Sequence, residues 1–107
     1  MVLCALVALS GCAEHRQDHA IDQALLDQGR RVFVTSGCGR CHTLSAAGTH
    51  GTTGPNFDKS EELDPSQIRN QLHLGVGGMP SFRGRLTRRE EAAVAAFLST
   101  ALKRGRH

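Results

Sequence analysis

A chain of 107 residues has room for one domain and no more. Its formal charge of +3, from 13 Lys+Arg against 10 Asp+Glu, forms no long basic run. With four Phe, no Tyr and no Trp there is no stacking surface either, and nucleic-acid binding is excluded. A mild basic excess instead suits brief docking to an acidic protein surface. A domain this small and this poor in aromatic residues needs help to build a core, from a metal, crosslinks or a bulky apolar cofactor.

Residues 1–12 read as a processed leader. Val2 to Leu9 is an apolar run, far short of the roughly 20 residues that span a bilayer but long enough for the core of a secretory signal. The basic segment that usually precedes such a core is missing, and a start codon upstream of Met1 would account for it. Leu9-Ser10-Gly11-Cys12 resembles the lipobox of bacterial lipoproteins. That resemblance implies cleavage before Cys12, lipid attachment to its sulfur, export, and residence at the outer face of the plasma membrane or in the periplasm. The rival reading is an ordinary secretory signal with a chance cysteine. Residues 13–20, Ala-Glu-His-Arg-Gln-Asp-His-Ala, are polar and are expected to act as a tether, reaching at most about 30 Å if extended.

The expected domain covers residues 21–105. Asp22 to Ser36 predicts a helix, with Ile21, Leu25, Val32 and Phe33 near one face and Gly29 on the same stripe. Glycine costs a helix roughly 1 kcal/mol against alanine, which close contact with another helix would justify. Gly37 to Phe57 is glycine-rich and is expected to be loop. Asp64, Pro65 and Gln67 predict a capping box opening a second helix, with Ile68 and Leu72 facing inward and Gly75 as its stop. Val76 to Arg85 is loop again. Thr87 and Glu90 predict a second capping box. The helix it opens carries Val94, Phe97, Leu98 and Ala101 on its apolar stripe, with Lys103 and Arg104 at its negative end and Gly105 after them. No run of strand-like alternation appears. The fold class expected is all-α, three to four helices.

The chemistry lies in the loops. Of four cysteines, Cys4 falls in the leader and Cys12 closes it, while Cys38 and Cys41 stand two residues apart with His42 directly following. Cys-x-x-Cys-His is the attachment signature of haem c: the thiols add across two vinyl groups and the histidine binds iron. A Cys₄ zinc site lacks its second pair, and His50 or His73 would complete a Cys₂His₂ site only at an unrecognisable spacing. A thioredoxin-like pair would need a βαβ pattern, which is absent.

Once Met1 leaves with the leader, Met79 is the sole methionine, in Gly75-Val76-Gly77-Gly78-Met79-Pro80. A lone methionine is usually core filler. This one sits in a glycine-rich loop, stiffened by the following proline, where a chain can approach a flat ring. Its thioether is a soft ligand that favours Fe(II) and raises the potential. His73 is the competing sixth ligand.

Together these residues resemble a class I c-type cytochrome of the short bacterial kind, from about Gln23 to Leu102. The likeness rests on Gly29 and Phe33, Cys38-x-x-Cys41-His42, Gly54-Pro55-Asn56-Phe57, Met79-Pro80, and Leu86-Thr87 before a helix with Phe97. It implies that the first and last helices cross closely, with Gly29 and Phe33 meeting Phe97. It implies that the Pro55 carbonyl accepts a hydrogen bond from His42 Nδ1, and that one covalent haem c cycles its iron between Fe(II) and Fe(III) under His42 and Met79. The expected role is a monomeric electron carrier, not an enzyme, in a membrane-associated transport chain. Its partner would be an oxidase or another cytochrome. Arg83, Arg85, Arg88 and Arg89 are expected to meet that partner's acidic surface, against the reading of a merely solvated basic face. The alternative class is a haem-based ligand-binding protein or enzyme with an open or labile sixth position.

Overall fold

The computed structural model describes the backbone of residues 10–105 and side chains from Asp22 onward. Three α-helices carry the fold: α1 (Ser10–Thr35), α2 (Pro65–Leu74) and α3 (Arg88–Arg104). A two-residue hairpin, β1 (Thr43–Leu44) with β2 (Thr49–His50), pairs antiparallel in the loop after α1, flanked by short 3₁₀ turns at Cys38–Arg40 and Ser45–Ala47. The fold is the mostly helical one expected, with two departures. The hairpin lies in a stretch read as irregular, where strands of two residues leave no alternation to detect. And α1 begins at Ser10, twelve residues before the expected start, because nothing from Cys12 to Gln28 is a glycine or proline that would stop it.

The other helix ends match local chemistry. The Asp64 side chain accepts from Gln67 N at 2.9 Å while Gln67 Oε1 accepts from Asp64 N at 2.9 Å. Thr87 and Glu90 repeat the exchange at 3.1 and 2.9 Å. Each box satisfies two backbone N–H groups that the first turn leaves without partners. Gly75 ends α2, its φ of +65° disfavouring any residue with a Cβ, and its N–H donates to Gln71 O at 2.9 Å.

Packing centres on the crossing of α1 and α3. A Cβ on Gly29 would lie 2.1 Å from Ala93 O and 2.5 Å from Phe97 Cβ, so the helices meet backbone to side chain. Phe33, 1 % exposed, sets its ring edge-on to Phe97 at 6.1 Å and to Phe57 at 6.3 Å. Leu44, Ile68, Leu72, Phe82, Val94, Leu98 and Leu102 complete the core, with Leu26, Met79 and Ala101 packed at its margin. On α1 it is Leu26, beside the expected Val32 and Phe33, that joins this core. Among the described residues no helix is long and apolar enough to cross a membrane. The leader to Leu9 lies outside those residues, as does the Cys12 side chain, and the stretch read as a tether is helical backbone continuous with α1.

Candidate functional site

α1 ends at Thr35, and Gly37, in the left-handed conformation, turns the chain into the 3₁₀ turn that carries Cys38. Cys38 O accepts from Cys41 N at 3.2 Å and from His42 N at 3.0 Å, so one tight turn holds both cysteines and the histidine. Both thiols are free, Cys38 half-buried and Cys41 exposed. Burial pushes the Cys38 thiol above its ordinary value, opposed by a backbone hydrogen bond and reinforced by Cys41. Among the described residues no three of His, Cys, Asp and Glu are grouped to hold a metal ion, so neither His50 nor His73 builds a zinc site with the pair.

His42 is 7 % exposed and held on several sides. Its Nδ1 donates to the Pro55 carbonyl at 2.8 Å. A carbonyl can only accept, so the proton is on Nδ1 and the lone pair of the neutral ring is on Nε2. No hydrogen-bond partner takes Nε2 among the described residues. Phe57 stacks on the imidazole, centroids 4.2 Å apart and planes 15° apart. Gly54 passes so close that a Cβ there would lie 2.6 Å from His42 Cε1. The loop is pinned to the motif by Gly54 N to Cys41 O at 2.7 Å and Phe57 N to Thr43 O at 2.9 Å. Thr49 Oγ1, reaching back from β2, donates to His42 O at 2.9 Å. The small hairpin therefore braces the histidine's own backbone.

Met79 stands on a separate loop, after α2. Its N–H closes a turn onto Val76 O at 3.0 Å, and its side chain is half-buried against the core. Phe82 N donates to Leu72 O at 2.7 Å and anchors the far end of the loop. His73, the competing ligand, is engaged elsewhere. Its Nε2 donates to both oxygens of the buried Glu91 carboxylate, at 2.8 and 2.9 Å.

The structure thus brings Cys38, Cys41, His42 and Pro55 together and sets Met79 on a second loop. Two contacts escaped the sequence reading. The Phe57 ring on His42 has only its place two residues after Pro55 to announce it. Glu91 looks like any acidic residue in a helix's first turn, and only the tertiary packing of α2 on α3 buries it.

Comparison with known proteins bears on the family and the fold. The family model described as "Cytochrome C oxidase, cbb3-type, subunit III" matches residues 24–98. A cytochrome c6 of Cyanidium caldarium is 28 % identical over 106 residues, covering 94 % of this chain and 93 % of that protein. The crystal structure of the c-type cytochrome SorU from Sinorhizobium meliloti superposes with a TM-score of 0.67 at 34 % identity, over 74 % of this chain and 92 % of that one.

Proposed function

The chain belongs to the c-type cytochrome family of electron carriers, and on that footing we propose that it is a monohaem carrier with His42 and Met79 as axial ligands. The observation that carries the reading is the His42 ring, oriented by the Pro55 carbonyl with no partner on Nε2 among the described residues, on the same turn as two free thiols. This donor set fits haem c: two thiols for the vinyl groups and one imidazole with its lone pair on the right nitrogen. Haem bound there supplies one-electron Fe(II)/Fe(III) chemistry.

The rest is done by the chain. Cys38 and Cys41 would hold the group by two thioethers. Pro55 fixes the tautomer and orientation of His42 and raises its basicity as a ligand. Phe57 covers the imidazole face and keeps water from it. Met79 would supply the second protein ligand, closing the iron to substrates and raising its potential. His73 is not a competitor, because releasing it would leave the buried Glu91 carboxylate without its donor.

Residues 21–105 form the working domain. Residues 1–12 are a signal ending in a lipobox, Cys12 carries the lipid, and the exported monomer stays at the outer face of the bacterial plasma membrane. The order of apolar run, Ser10-Gly11 and Cys12 supports this. The electron partner is a membrane oxidase or another cytochrome, in keeping with the name of the matching family.

Spectroscopy tests the core of the reading. The ferric holoprotein should show the weak far-red methionine–iron band, and the ferrous protein should bind carbon monoxide weakly. Strong carbon monoxide binding by the native ferrous protein would establish an open sixth position and a ligand-binding role instead.

A further inference from the structure

Arg83, Arg85, Arg88 and Arg89 are neighbours in the sequence, but the fold separates them. Arg83 and Arg88 line an open cleft of about 620 Å³ between α2 and α3, and Arg85 and Arg89 do not. The third guanidinium of the cleft is Arg69, from α2, with Ser66 and Asn70 on the same wall. The cationic groups thus come from α2, from the loop after Met79 and from α3.

All three arginines are exposed, and none makes an ion pair among the described residues. The carboxylate lining the cleft, Glu91, is buried and held by His73. The carboxylates nearest in sequence are committed too: Asp64 to the α2 cap and Glu90 to the α3 cap. The cleft therefore presents three guanidinium forks that make no ion pair among the described residues; the charge of Asp64 acts on Arg69, but its carboxylate is hydrogen-bonded to Ser66 and Gln67. Such forks match the planar geometry of carboxylates.

A small free anion would gain little here. The guanidiniums are solvated, and α3's first-turn amide at Glu90 is already bound by Thr87. A protein segment has more to offer. Leu74 and Val76, 69 % and 59 % exposed, stand at the end of α2, on the way into the Met79 turn. Neither lines the cleft, but both continue the α2 wall that carries Arg69, and charged forks together with exposed apolar side chains have the make-up of a small transient interface.

We propose that the α2–α3 cleft is the docking site for a redox partner presenting an Asp/Glu-bearing segment, with Arg69, Arg83 and Arg88 binding its carboxylates and Leu74 and Val76 covering its apolar flank. The proposal rests on the electron-carrier reading and adds to it where, and through what chemistry, the partner sits.

The test is amide NMR on the ferrous holoprotein, titrated with the capped peptide Glu-Glu-Leu-Glu-Glu, its Gln-for-Glu counterpart, and inorganic phosphate at matched ionic strength. The acidic peptide should give saturable shifts at Arg69, Leu74, Val76, Arg83 and Arg88. Arg69→Glu with Arg88→Glu should weaken its binding about tenfold or more, while Arg31→Glu with Lys103→Glu should leave it unchanged. Shifts spread evenly over all basic residues would overturn the proposal. So would equal shifts from phosphate, which would mark a free-anion site. The far-red band and reduction potential of each variant, read in parallel, should match the parent. Their absence from the parent itself would overturn the electron-carrier reading, independently of the peptide result.

Discussion

Gly29 of α1 and Ala93 of α3 are in contact at a distance that admits no side chain: a Cβ on Gly29 would stand 2.1 Å from the Ala93 carbonyl oxygen. The obstacle is backbone, so no rotamer change relieves it. Gly29→Ala gains about 1 kcal/mol of helix propensity but must push two helices apart. We expect a net destabilisation of about 2 kcal/mol or more, measured by urea unfolding of the holoprotein. A neutral or stabilising effect would show that the crossing is looser than this contact requires.

His73 and Glu91 should behave as one unit. Removing His73 leaves a buried carboxylate with no donor, and removing Glu91 frees His73 of its partner. Each single change to Ala should cost about 1–3 kcal/mol, and the double change distinctly less than their sum. Additive costs in a double-mutant cycle of thermal or urea unfolding would show that the pair is not coupled.

Sequence pattern reached some levels of this structure and not others. Both capping boxes and the ends of α2 and α3 are written in local chemistry, since Asp64, Gln67, Thr87 and Glu90 act on amides three residues away. Gly29 was legible because a glycine on an apolar helical stripe needs a reason. The cysteine–histidine turn was legible because Cys38, Cys41 and His42 lie within five residues and must stand together in any fold. What stayed hidden depends on chain segments far apart. Glu91 is buried by a helix whose partner residue lies 18 positions earlier, and Arg69 joins Arg83 and Arg88 only once α2 packs beside α3. The early start of α1 was missed because a polar segment without breakers reads equally well as helix or as tether.

Acid should reveal the Asp58 clamp. Ser45 Oγ and Ser45 N donate to its carboxylate at 2.5 and 2.9 Å. These bonds hold the group below its ordinary value, with a small further pull from His50 and slight opposition from burial. A lowered folded-state pKa contributes stability above the unfolded value of about 4, and that contribution is lost as pH falls through the folded value. The site is exposed, so the contribution is under about 1 kcal/mol. Asp58→Asn should therefore melt slightly below the parent at neutral pH, with the gap closing below about pH 4. A gap that widened on acidification would contradict the clamp.

Met79→Ala should abolish the far-red ferric band, lower the reduction potential and admit carbon monoxide to the ferrous iron. His73→Gln should keep the band, because His73 is engaged by Glu91. If the parent showed no far-red band, and its ferric spectrum changed in His73→Gln but not in Met79→Ala, the assignment of the sixth ligand would be reversed.

Attachment is open to direct chemical test. Cys38→Ala with Cys41→Ala should yield protein whose haem is removed by acidified organic solvent, whereas the parent should keep it. Haem retained by the double variant would mean that the thiols do not form the bonds assigned to them.

The continuous helix from Ser10 changes what a lipid on Cys12 would accomplish. Eight extended residues make a string of about 30 Å on which a domain tumbles freely. Wound as helix, the same eight rise only about 12 Å, in line with the rest of α1. Such an anchor would work as a stalk with a pivot at its foot. It would set the height of the domain above the bilayer and limit its swing, so that the face bearing Leu74, Val76 and the arginine cleft would sweep a narrow band rather than a sphere.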